Sequence, residues 1–301
     1  MKNKIIILLI STLILIQCKK EGNNVFAGGF PGGTYDTLTK SLQEIPELKV
    51  NVIASNGSLD NINLLLDKKA EFALSQVDMY YSAKLGNSAV AKEINILLPM
   101  LEDEIHLVVN NSIKSTQDLK GKKIAIGHSV SGIKATSISV LRLCGIDFSE
   151  IETIELGPEE ALPKLLKQEI DAVFVVSGLP VKILSELPEN AKDKIKILNI
   201  ESSILNQIKE GNKVYQKSTI PANTYSWQKD PIQTLQVQTV LIARKDLPKE
   251  KVSSFLKSLF LNLENLTKVH PEWNGLDKKI LKEKSTTLPD FFNPVVIENL
   301  N

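Results

Sequence analysis

Val25-Phe-Ala-Gly-Gly-Phe-Pro-Gly-Gly-Thr-Tyr35 opens the part of the chain from which the fold can be read. A short apolar run gives way to a loop of glycines around Phe30-Pro31, and residues 34–43 then carry a helical pattern. The order continues with an apolar run at 49–54, a helical stretch at 59–66 and a further run at 70–74. Residues 123–176 repeat it: run at 123–126, Gly/Ser loop Gly127-His-Ser-Val-Ser-Gly132, helix pattern at 132–143, run at 151–156, helix pattern at 159–167, run at 170–176. Short Val- and Ile-rich runs suit strands buried on both faces of a parallel sheet. Their strict alternation with helices implies βαβ units. The expected fold class is therefore α/β, with two doubly wound lobes and a ligand cleft between them.

Further runs at 94–98, 105–109, 195–200 and 235–243, and a long helical stretch at 249–266, fill the rest. The polar, turn-rich segment 114–121 reads as the first passage between halves, and 219–230 as the return. Expected domains are 25–110 as the first part of lobe 1, 111–236 as lobe 2, and 237–301 as the return strand and C-terminal helices of lobe 1.

The N-terminus sets the compartment. Lys2 and Lys4 precede an apolar run at 5–16, too short for the roughly 20 residues that cross a bilayer and typical of a secretory signal. It ends at Leu15-Ile-Gln-Cys18. A Cys at that point resembles the lipobox of bacterial lipoproteins, in which the Cys is lipidated and becomes the mature N-terminus. Leu15 matches the pattern and Ile16 and Gln17 depart from it. Residues 1–17 are expected to be a lipoprotein signal peptide, Cys18 the lipidation site and 18–24 a polar tether, giving a membrane-anchored extracytoplasmic protein. Without Cys18, Cys144 stands alone, so no intramolecular disulfide can form; among Leu141, Leu143 and Ile146 it reads as a buried, inert thiol.

The 36 basic and 35 acidic residues are nearly balanced and form no basic block, which excludes nucleic acid as a partner class. The three histidines, His106, His128 and His270, lack metal-ligand spacing, so no metal is expected. A Ser131 nucleophile would need a base, and His128, three residues away along a tight loop, is poorly placed. The chain therefore reads as a binding protein and not an enzyme.

Open α/β sheets bind ligands at the carboxyl ends of their strands. Four loops there carry candidates. In the first, Gly33, Thr34 and Tyr35 open a helix whose free N–H groups favour an anion; its glycines do not fit a dinucleotide fingerprint. In the second, Asn56, Gly57 and Ser58 start another helix, and an N-cap role and a ligand role are both open. In the third, Gln76 is a better candidate than Asp78, which reads as a cap. In the fourth, Ser129, Ser131 and Gly132 occupy the position in the second half that corresponds to the first glycine loop. Gly178, in Ser177-Gly-Leu-Pro180, admits either a ligand or a tight turn ahead of Pro180. The only arginines, Arg142 and Arg244, lie inside elements, so a solute carboxylate is expected to rest on main-chain N–H groups and hydroxyls. Two facing helix N-termini, one per lobe, would pinch it.

Several motifs, in order, resemble those of the solute-binding receptors of TAXI-type TRAP (tripartite ATP-independent periplasmic) transporters. They are Gly32-Gly-Thr-Tyr35, Asn56-Gly-Ser-Leu-Asp-Asn61, Glu71-Phe-Ala-Leu-Ser-Gln-Val-Asp78, Asp118-Leu-Lys-Gly-Lys-Lys-Ile-Ala-Ile-Gly127, Ser131-Gly132, Ile170-Asp-Ala-Val-Phe-Val-Val-Ser-Gly-Leu-Pro180 and His270-Pro271. The resemblance spans about residues 25–290. It implies a type II periplasmic-binding-protein fold, no cofactor, and capture of a small anionic solute, glutamate-like or a dicarboxylate, for delivery to the permease subunits of a TRAP transporter. The contacts it implies are Gly33, Thr34, Tyr35, Ser58, Gln76, Ser131, Gly132 and Gly178. Ile133, where the family usually has Thr, and the absence of the family's His and Gly near Leu288-Pro-Asp-Phe-Phe292 depart from the pattern. A lipoprotein of the same fold serving an ABC importer or a sensor is the alternative, with a secreted hydrolase behind it.

Overall fold

The computed structural model describes residues 24–209 and 211–300. The expected signal peptide and Cys18 lie outside the described residues. The strands are β1 (Asn24–Ala27), β2 (Val50–Ile53), β3 (Phe72–Gln76), β4 (Ile94–Asn110), β5 (Lys123–Ala125), β6 (Glu152–Ile154), β7 (Ala172–Ser177), β8 (Ile195–Ile197), β9 (Tyr215–Ile220) and β10 (Ile232–Arg244). The helices are α1 (Thr34–Gln43), α2 (Ser58–Leu66), α3 (Val77–Gly86), α4 (Ser88–Glu93), α5 (Gly132–Leu143), α6 (Pro158–Leu166), α7 (Lys182–Ser185), α8 (Ser202–Leu205), α9 (Lys249–Leu261), α10 (Leu263–Val269), α11 (Lys278–Thr287) and α12 (Pro294–Leu300).

The strand order is β2-β1-β3-β10-β4-β7-β5-β6, with β8 beside β4 and β9 beside β10. The internal repeat of the sequence is visible here. β1 lies parallel between β2 and β3, and β5 lies parallel between β6 and β7. Between these two parallel triplets run the long antiparallel strands β4 and β10. β10 adjoins the first triplet through β3 and β4 the second through β7, and the two pair with each other. Residues 239–243 of β10 pair with β3 and its residues 232–237 with β9, while residues 104–109 of β4 pair with β7. The result is the expected bilobed α/β architecture, its halves joined through two strands.

Three expectations need correction. The runs at 94–98 and 105–109 are one 17-residue strand, β4, because the acidic Glu102-Asp-Glu104 between them continues to pair with Gln236–Gln238. The segment 219–230 is not a bare return passage, since Thr219 and Ile220 complete β9, whose polar middle, Gln216 to Thr219, carries no apolar signal. The helix expected at 249–266 is two helices. Asn262 divides them, its side-chain amide and its backbone N–H both donating to the Ser258 carbonyl, at 2.9 and 3.1 Å.

The C-terminal helices cover the outer face of the first triplet. Phe255 of α9 stacks on Phe72 of β3 with ring centres 4.5 Å apart, and Trp273 donates its indole N–H to Ser41 Oγ of α1 at 2.7 Å. Around β7, α6 and α7 pack with Tyr225 and Trp227 to form the outer core of the second half. Cys144 is buried and unpaired, and burial pushes its thiol up to about 12, which makes it inert at neutral pH.

Candidate functional site

The chain leaves β1 through Gly28, whose N–H donates to Ile53 O at 2.9 Å and whose carbonyl is held by Ser55 Oγ and Asn61 Nδ2, both at 2.9 Å. The loop then turns at Gly32, whose φ of +84° favours glycine. The Gly32 N–H is fixed by the Asp36 carboxylate at 2.9 Å. Gly33 caps α1, so the N–H groups of Thr34 and Tyr35 belong to a helix start, where no carbonyl four residues back within the helix takes them up.

In the second half, Ser131 caps α5. Its Oγ accepts from Lys134 N at 3.3 Å and donates to the His128 carbonyl at 2.8 Å. Both starts line one cavity of about 350 Å³, together with Gly57, Ser58, Gln76, Ser177 and Gly178. Tyr35 is its expected aromatic wall. Asn56 and Ser129 do not line it. Asn56 is exposed and donates its amide to Asp60 at 3.0 Å, and Ser129 is exposed at the loop's outside. Asp78 also lies away from the cavity, accepting from Thr136 Oγ1 at 2.6 Å and Tyr215 OH at 2.7 Å.

The two halves touch across this space. Leu59 N–H donates to Val130 O at 3.2 Å, and Thr34 Oγ1 and Ser177 Oγ share a hydrogen bond of 2.6 Å. Gly132 sits against the first half so tightly that a methyl group on it would lie 1.8 Å from Gln76 Oε1 and 2.7 Å from Ser58 Oγ. Ser58 Oγ accepts the Gln76 N–H at 3.1 Å, which joins the second and third loops. Gly178 is equally constrained, since a methyl there would lie 2.2 Å from Glu272 Oε1.

The sequence reading missed the cavity's acids. Asp103, on β4 where it passes between the halves, is 1% exposed. Its Oδ2 accepts from Thr239 Oγ1 of β10 at 2.5 Å, and Thr239 Oγ1 is bonded to Tyr35 OH at 2.7 Å. Burial, reinforced by the Glu272 charge and opposed by the Thr239 hydroxyl, holds the Asp103 carboxyl well above the ordinary range. Glu272, on the segment Pro271–Leu276, is pushed up to about 7 by burial and by Glu104, itself raised to about 7 by burial. A signal existed: Glu102-Asp-Glu104 interrupts an otherwise apolar strand, where charge is costly unless it has a task.

The site has little catalytic capacity of the triad kind. Ser131 Oγ bonds the main-chain oxygen of His128 and not its ring, while the ring's Nε2 lies 3.8 Å from Glu160.

This architecture is that of the type II periplasmic-binding-protein class, with its cleft where two β/α halves meet. The chain belongs to the NMT1-like family, whose model matches residues 26–289. It is similar in fold to the arginine-, lysine-, histidine-binding protein ArtJ from Geobacillus stearothermophilus, at 16% identity and a TM-score of 0.50, over 88% of this chain and 99% of that one. Protein AF1704 from Archaeoglobus fulgidus is also similar, at 14% identity and a TM-score of 0.50, over 92% and 93%.

Proposed function

We propose that this chain is an extracytoplasmic solute-binding receptor that captures a small organic acid or amino acid and delivers it to the permease of a TAXI-type TRAP transporter. The observation that carries the reading is a cavity of about 350 Å³ enclosed by loops from both halves that contact each other. That volume falls within the range of small-molecule pockets, about 300–1,000 Å³. The unliganded lobes stand open, and a solute stabilises the closed form because only there do both sets of loops reach it. We place the hinge where β4 and β10 pass from one triplet to the other, around 102–104 and 236–239, upstream of the boundary expected at 110–111. The register shift between Gln238 and Val240 falls beside it. The transporter type rests on the order of the motifs from Gly32 to Pro271.

A thermal-shift panel of amino acids, dicarboxylates and monocarboxylates tests the capture reading. At a hundredfold excess over Kd a ligand adds about 2.7 kcal/mol, so at least one compound is expected to raise Tm by roughly 5–10 °C, saturably. A panel with no saturable shift contradicts the reading.

We further place the protein on the membrane through lipid at Cys18, outside the described residues. Cys18→Ser is expected to move it from the membrane fraction to the soluble fraction, and a variant that stays with the membrane contradicts the anchor. Among the described residues no helix is long and apolar enough to cross a membrane.

A further inference from the structure

Among the described residues, three acceptor oxygens in the cavity have no hydrogen-bond donor: Oε1 of Gln76, Oδ1 of Asp103 and Oε2 of Glu272. They come from the end of β3, the passage of β4 and the segment Pro271–Leu276, so three distant stretches of chain bring unsatisfied acceptors to one space. Gln76 and Asp103 are 3% and 1% exposed. A buried acceptor without a donor is costly to leave in place, and a native protein that keeps several in one cavity has a reason in what fills it.

The surroundings define the missing partner. Asp103 is fixed through Thr239 to Tyr35, so its free oxygen cannot swing away to another donor without breaking that chain. Among the described residues, the only lysine lining the cavity, Lys182, is 84% exposed at the rim, and no arginine lines it. His270, the other basic group in the wall, has its pKa lowered by burial, which favours the neutral ring. A carboxylate brought to these oxygens would meet acceptors and no fixed cation, and it would be repelled by whichever of Asp103 and Glu272 is ionised. An ammonium brings three N–H donors and the opposite charge.

Resting on the capture reading above, we infer that the solute carries a protonated amine, received by Gln76, Asp103 and Glu272, while its acid end takes the N–H groups at the starts of α1 and α5. The ligand class is then amino acids, and dicarboxylates without an amine are poor ligands. The cavity reads the zwitterion from both ends.

Calorimetry on the full chain in detergent, at pH 8, tests this with matched pairs: L-glutamate against glutarate, L-alanine against propionate, and L-leucine against 4-methylpentanoate. The preferred amino acid is expected to bind at least about 100-fold more tightly than its amine-free partner, since the partner leaves the three buried acceptors unpaired. Asp103→Asn is expected to weaken the amino acid by about 30-fold or more and to leave the amine-free acid unchanged or slightly tighter. Glu272→Gln, at a less buried position, gives the same pattern with a smaller loss. Equal affinity for both members of every pair overturns the amine assignment while leaving capture intact, as does an Asp103→Asn protein that keeps full affinity, the result expected if a protonated Asp103 were donating to a carboxylate. Binding of neither series overturns the capture reading itself, and the wild-type comparison does not depend on any variant folding.

Discussion

Gly132→Val is expected to weaken solute binding by about 5- to 150-fold while leaving the unliganded protein nearly as stable as the wild type. The reason is steric and specific to closure. Gly132 opens α5 in one half, yet the atoms that a Cβ would strike, Gln76 Oε1 at 1.8 Å and Ser58 Oγ at 2.7 Å, belong to the other half. Neither side chain is free to retreat, because Gln76 is 3% exposed, Ser58 is 1% exposed, and the Gln76 N–H donates to Ser58 Oγ. Overfilling a packed contact costs about 1–3 kcal/mol. That penalty falls on the closed form alone and reduces apparent affinity by the fraction of closed protein it removes. In the open form the substitution carries no such penalty, because valine has a higher helix propensity than glycine. Calorimetric titration with the strongest compound of the panel, beside a melting curve without it, separates the two effects. Unchanged affinity would mean that the halves need not meet at Gly132.

Trp273→Ala is expected to destabilise the chain by about 3–5 kcal/mol, the range for deleting a fully buried large aromatic. Trp273 is 1% exposed, the largest of the fully buried side chains, and its indole N–H reaches Ser41 Oγ on α1. For a chain of this size the loss corresponds to a fall in Tm of about 6–20 °C. It also reaches the cavity, because His270 and Glu272, on either side of Pro271 and just before Trp273, line it. Solute affinity should therefore drop along with Tm, in contrast to Gly132→Val. Scanning calorimetry gives the first effect and titration the second. A shift below about 2 °C would show that Trp273 does not anchor this segment.

The difference between what was legible in the sequence and what was not follows from range. Val25 to Tyr35 and Lys123 to Gly132 announce themselves locally, because a buried parallel strand must be apolar on both faces and the turn into a helix start calls for glycine at Gly32 and Gly127, where φ is +84° and +90°. Gly33, Thr34, Ser58, Gln76 and Gly132 were therefore found as strand-end residues before any contact between them was known, and the structure brings them to one cavity. Asp103 could not be found the same way. It falls in the gap between the apolar runs at 94–98 and 105–109, and only tertiary structure supplies the Thr239 hydroxyl of β10, itself bonded to Tyr35 of α1, that makes its burial tolerable. Glu272 is harder still, since nothing near it in the chain hints that Gly178, 94 positions earlier, leaves room for its carboxyl. The Asn56 and Ser129 assignments failed to reach the cavity for the opposite reason, in that polar loop residues beside a site satisfy local turns as readily as ligands.

The central claim is that one solute closes two halves about β4 and β10. Small-angle X-ray scattering of the wild-type protein, without and with the saturating compound identified by the panel, tests it most directly. The account predicts a smaller radius of gyration on saturation and a lesser change in Gly132→Val at the same compound concentration. Superimposable scattering curves from the free and fully occupied wild-type protein would contradict it.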